Sequence, residues 1–147
     1  MNVQPASLRK RKEGALPRYK SIADLIHKPR PAYPYYALHP ARFHRAARRF
    51  LDHFPGTTMY AVKVNPVPDV VDLVYESGIR HFDTASLAEI ELIRGRYPDS
   101  QCHFMAPVRI PGEAGIAAKK HGLTDFVVDC DPELDKLLSE TDGGKGL

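Results

Sequence analysis

Four times in succession a short apolar stretch of strand length is followed by a longer amphipathic one, and the strand-like stretches recur about every 22 residues. Residues 58–64 (TMYAVKV), 79–85 (IRHFDTA), 101–107 (QCHFMAP) and 124–130 (TDFVVDC) are read as strands. Residues 68–78, 86–96, 111–122 and 131–140 are read as helices. Ser86 with Glu89 has the spacing of a capping box, Gly78 and Gly122 close their helices, and Asp131-Pro132 supplies a cap and a first-turn proline. Strict alternation of this kind builds parallel βαβ units with right-handed crossovers. Two architectures accommodate it, an open doubly wound sheet and a (β/α)₈ barrel of the TIM type. A barrel takes roughly 250 residues, so 147 residues hold only about its first four βα units, an incomplete barrel. The turn after the first strand, Asn65-Pro66-Val67-Pro68, is not a Gly-rich nucleotide fingerprint.

Charge divides the chain. Residues 1–50 carry 12 Lys/Arg against 2 Asp/Glu, and residues 51–147 carry 9 against 16. Residues 1–31, rich in Pro, Lys and Arg, are expected to form a basic flexible arm. The run Arg9-Lys10-Arg11-Lys12 lacks interleaved aromatics and reads as a solvated tail rather than a nucleic-acid site. Residues 32–38 (AYPYYAL) read as an extended, edge-type segment leading into a domain over 32–147, whose first helix opens at His39-Pro40. No apolar run approaches the roughly 18 residues of a membrane span, no secretory signal is evident, and two distant cysteines make no disulfide framework. A cytoplasmic setting without membrane or nucleic-acid partners is the expectation. The seven histidines show no metal-ligand spacing, so surface or packing roles are expected and no metal is assigned.

Lys63 interrupts the first apolar strand near its C-terminal end. Strand alternation would group Tyr60, Val62 and Val64 on a helix-facing side and turn Lys63 to the other, into a barrel mouth. Asp83 takes the corresponding place on the second strand. Adjacent strands lie about 4.8 Å apart, so the amine and carboxylate are expected to meet. A lysine so placed suits Schiff-base chemistry; an ion pair at the strand ends without catalysis is the other reading of the same spacing.

The block Tyr60-Ala61-Val62-Lys63-Val64-Asn65-Pro66 resembles the pyridoxal-phosphate (PLP) lysine motif of the alanine-racemase-like decarboxylases. Phe82-Asp83-Thr84-Ala85-Ser86 with Glu89-Ile90-Glu91 resembles that family's next block. His103 to Pro107 and Asp129 to Lys136 are similar to its third and fourth strand regions. Ser86-Leu87-Ala88-Glu89 is closer to the ornithine and lysine enzymes than to the diaminopimelate type, which carries Ser-Gly-Gly-Glu. Ala106-Pro107-Val108-Arg109 departs from the Asn-Pro-Cys-Lys of many ornithine enzymes. The resemblance implies that Lys63 binds PLP covalently and catalyses, that Asp83 binds beside it, and that Glu89 supports this wall. It implies decarboxylation of a basic amino acid, ornithine first, to a diamine in polyamine biosynthesis, by a homodimer. The family's phosphate loop, ring-stacking histidine and C-terminal β domain lie in later sequence, so this chain is expected to be an inactive N-terminal portion. A catalytically silent regulatory relative and a small PLP-carrier barrel protein are the competing expectations.

Overall fold

In a computed structural model, residues 17–27 and 32–147 are described. The chain divides into two units, residues 1–37 and 38–147. Within the first, helix α1 (Ile22–His27) lies inside the stretch expected to be an unstructured arm. Ser21 and Asp24 cap it reciprocally: Asp24 N donates to Ser21 Oγ at 3.1 Å, and Lys20 N donates to Asp24 Oδ2 at 3.3 Å. The Arg9–Lys12 run lies outside the described residues. The extended segment before Pro40 forms no strand among the described residues.

The second unit begins with α2 (Pro40–His53), whose proline occupies the first turn, where a missing N–H costs nothing. Phe43, Ala47 and Leu51 recur at helical spacing and pack on the core. The order then runs β1 (Met59–Ala61), a 3₁₀ turn (Val62–Val64), α3 (Pro68–Glu76), β2 (His81–Thr84), α4 (Leu87–Arg96), β3 (Gln101–Phe104), α5 (Glu113–His121) and α6 (Asp131–Glu140). The three strands form a parallel sheet in the order β1-β2-β3, with Ala61 opposite Asp83 and Asp83 opposite His103. Their helix-facing side chains, Phe82, Cys102 and Phe104, join Val71, Val74, Ile90, Ile93 and Ala117 in one core. Burying a residue such as Phe82 fully contributes roughly 1.5–3 kcal/mol.

Three sequence expectations are corrected. The first strand ends at Ala61 rather than Val64. Asn65 Oδ1 accepts from Val67 N (3.3 Å) and Asn65 N donates to Val62 O (3.1 Å), a side-chain-stabilised turn before Pro66 that curls the backbone out of the sheet. The fourth strand is reduced to a single bridge, Phe104 with Phe126, because only Phe104 N to Asp125 O and Val127 N to Phe104 O are exchanged. Asp131 is not the cap of α6 but its first helical residue; Cys130 occupies the cap position without a side-chain bond.

The other helix ends follow local chemistry. Ser86 Oγ accepts from Glu89 N (3.3 Å), and Glu89 Oε2 accepts from Ala85 N (2.8 Å). Gly122, at φ 68°, ends α5 in the left-handed region that glycine enters without penalty. The start of α5 is capped from a distance. The Glu140 carboxylate accepts from Gly112 N (2.7 Å), Ala114 N (3.1 Å) and Gly115 N (3.3 Å), placing a negative charge at a helix N-terminus.

Candidate active site

Side chains at paired positions of parallel strands point the same way. The face opposite the core therefore carries Met59 and Ala61 from β1, His81 and Asp83 from β2, and Gln101 and His103 from β3. Asp83 sits in the middle of this face near the C-terminal ends of the strands, partly buried. Its Oδ1 is buried and has no hydrogen-bond partner. An unsatisfied buried carboxylate oxygen is costly, so this position is shaped for a further polar or cationic group.

Lys63 lies two residues beyond the end of β1, in the middle of the 3₁₀ turn. The 3₁₀ turn changes its surroundings from those expected. Val62 stays in the core, where alternation put it, at 0% exposed, while Val64, expected on the same side, is 75% exposed. Lys63 is exposed, not buried, and no ion pair joins it to Asp83 among the described residues. Tyr60 fixes the turn by donating its hydroxyl to Asn65 O (3.2 Å), and burial raises the Tyr60 hydroxyl above its ordinary value. The turn thus presents a free primary amine at the strand end beside the wall that holds Asp83. A small carbonyl compound could reach that amine, and the unpaired Asp83 oxygen could meet a cationic or proton-bearing group. The residues present therefore fit an amine-anchored cofactor such as PLP. Glu89 is engaged at the backbone of Ala85, two residues beyond Asp83, and stiffens the loop behind it.

Two further clusters surround this wall. His81 Nδ1 lies 3.0 Å from His103 Nε2, and His103 Nδ1 lies 3.4 Å from Asp125 Oδ2. These histidines sit at strand positions that face Asp83's side of the sheet; counting the two-residue alternation back from Asp83 would have flagged His81. At the rim, Arg109 is wholly buried and donates to Ala106 O (2.8 Å) and Val127 O (2.5 Å). Its guanidinium lies 5.7 Å and 5.9 Å from the Phe104 and Phe126 ring centres. Glu133 stands 3.8 Å away, and Lys136 Nζ donates to Glu133 Oε1 and Arg109 O, each at 2.6 Å. The hydrogen bond from Lys136 holds the Glu133 carboxyl below its ordinary range. The loop after β3 is thereby bolted to α6. Nothing in the spacing of Arg109, Glu133 and Lys136 signals this, because three separate segments supply the partners. Among the described residues no cluster of three or more metal-ligating side chains occurs, and no helix is long and apolar enough to cross a membrane.

An α/β protein of parallel strands with an amine and a carboxylate at their C-terminal ends is the class these observations define. Residues 40–145 match the pyridoxal binding domain of the pyridoxal-dependent decarboxylases, and the chain belongs to that family. The family's cofactor is PLP and its members are amino acid decarboxylases. Two solved structures are similar. SrLDC in complex with PLP and cadaverine is 25% identical, with a TM-score of 0.56 over 69% of this chain and 27% of that one. Lysine decarboxylase from Selenomonas ruminantium, in space group C2, is 22% identical, with a TM-score of 0.67 over 84% of this chain and 32% of that one. The chain thus spans about a third or less of the solved structures it matches. No curated protein sequence matches it.

Proposed function

We propose that this chain is the cofactor-anchoring part of a PLP-dependent decarboxylase of basic amino acids, with Lys63 as the residue that binds PLP covalently and Asp83 as its neighbour on the cofactor wall. The observation that carries this reading is the exposed Lys63 amine at the end of β1 beside the buried, unpartnered Asp83 oxygen. Bound PLP supplies the electron sink for the pair left behind when CO₂ departs. The chain's own contribution is positional: the Asn65-Pro66 turn aims the lysine, and Asp83 offers a carboxyl oxygen that no protein group occupies. Arg109 and Lys136 hold the rim loop that shapes the mouth.

The three-stranded sheet, with the Phe126 segment bridged to its edge, is read as the first part of a (β/α)₈ barrel in a cytoplasmic homodimer. Ornithine is the proposed substrate, from the Ser86-Leu87-Ala88-Glu89 block, with a polyamine-pathway diamine as product. Lysine is the second reading, favoured by the likeness to SrLDC. The test is to incubate the chain with PLP, reduce with borohydride and map the labelled peptide. Label on Lys63, absent in Lys63→Ala, supports the proposal. Label spread over other lysines, or equal labelling of the variant, overturns it and favours a regulatory relative. Decarboxylation of ornithine and lysine by the longest natural form then separates a decarboxylase from a PLP carrier.

A further inference from the structure

Three polar side chains line up on the face opposite the core: His103 level with Asp83, Asp125 beside His103, and His81 one layer below. The His81 and His103 rings stack with centres 5.2 Å apart and planes 18° apart, joined by the 3.0 Å nitrogen contact. His103 is buried, and its other nitrogen faces Asp125, whose side chain is 60% exposed. His103 is also the strand partner of Asp83, and His81 precedes Asp83 by two residues on the same face. The titratable groups on the pair's side of the sheet are Asp83 on β2 and Asp125 on the bridge segment; Met59, Ala61 and Gln101 are the remaining neighbours on the three strands.

Hydrogen placement follows from the chemistry of the ends. An ionised Asp125 only accepts, so His103 carries its hydrogen on Nδ1. Neutral His103 then offers a lone pair at Nε2, and His81 must donate from Nδ1. The open base of the pair is His81 Nε2. One added proton is accommodated there. A second would place an N–H on each side of the 3.0 Å contact, which is repulsive.

We infer that His81 and His103, anchored by Asp125, form a relay holding a single proton, and that its charge attracts the neighbouring Asp83 carboxylate and positions it. The consequence for the cofactor rests on the reading of Asp83 as part of the PLP wall. His81 and His103 are positioning residues, acting through Asp83. Burial, and then the His103 charge, lower the proton affinity of His81, while Asp125 raises it.

The experiment uses the 147-residue chain labelled with ¹³C in histidine and aspartate, titrated from about pH 5 to 9 around the ordinary histidine value of about 6.5. The His81 and His103 ring signals should move together at one midpoint, and the Asp83 carboxyl carbon should inflect at the same midpoint. In His81→Gln/His103→Gln that inflection should vanish. Asp125→Asn, at an exposed position that leaves packing intact, removes a negative charge. It should lower the shared midpoint and the Asp83 inflection together by about half a unit. Independent ring titrations, an Asp83 signal flat through the histidine midpoint, or an unmoved midpoint in Asp125→Asn would each overturn the relay. No arm contains PLP, so failure here and failure of label trapping at Lys63 are separate results.

Discussion

Consider Arg109→Met. The arginine side chain is 0% exposed and gives its Nη1 to two carbonyls, Ala106 at 2.8 Å and Val127 at 2.5 Å. Hydrogen bonds from a charged donor contribute about 1.5–3 kcal/mol each, and the two carbonyls would be left buried without partners. Against this, methionine fills similar space and relieves the cost of burying a cation, a substitution that can recover several kcal/mol when a whole buried ion cluster is replaced. Here Glu133 keeps Lys136, so only one member of the cluster is removed. The two effects leave a net loss of about 2–4 kcal/mol, a large share of the roughly 5–15 kcal/mol that holds a domain together. Urea unfolding followed by circular dichroism measures it, with a fall in thermal midpoint of roughly 10 °C alongside. Arg109→Lys should lie between, since one ammonium cannot reproduce the planar fork. An Arg109→Met variant as stable as the parent, or more so, refutes the view that this arginine bolts the rim loop to α6.

Other outcomes follow from single contacts. Asp72 is held below the usual carboxylate range first by its hydrogen bond with Arg96, with Tyr97 adding a second. Because its folded-state value is depressed, its contribution is full above the ordinary Asp value of about 3.9 and is lost as pH falls through the lower folded value. Asp72→Asn should therefore cost about 1 kcal/mol at pH 7 and show a shallower stability loss on acidification; an unchanged acid limb in urea titrations would contradict this. Burial pushes the Cys102 thiol up to about 11, whereas Cys130 is exposed, so a thiol reagent at pH 8 should modify one cysteine quickly and the other only on unfolding. A Cβ at Gly115 would stand 2.9 Å from Glu140 O, so Gly115→Ala should separate α5 from α6 and destabilise by about 1 kcal/mol despite alanine's better helix propensity. A stabilised Gly115→Ala in thermal melts would show that the helices yield there freely.

The order of helices and parallel strands was legible because its signals are local. Pro40 at a first turn, Ser86 with Glu89 and Gly122 past a last turn each act within one helical turn, and every one of those ends is where the spacing put it. Asp83 was legible as well, since alternation along a short strand needs no distant partner. The sequence marked Lys63 as a candidate by its motif, but its setting was not legible: whether residues 62–64 continue a strand depends on a turn sealed by Asn65 and on Val62 finding the core. The fourth strand failed for a related reason, with its ladder reduced to the bonds between Phe104 and the segment around Phe126. Tertiary structure alone decided the pairings that cross segments. Glu140 caps a helix 25 to 28 residues away, Arg109 meets Val127 and Glu133, and His81 meets His103 and Asp125. Local propensity acts over a few residues, whereas these contacts depend on strand register and helix docking, which many weak packing interactions set together. The sequence by itself determined which elements exist and where the amine and carboxylate lie along them; the packed fold decided which groups face each other.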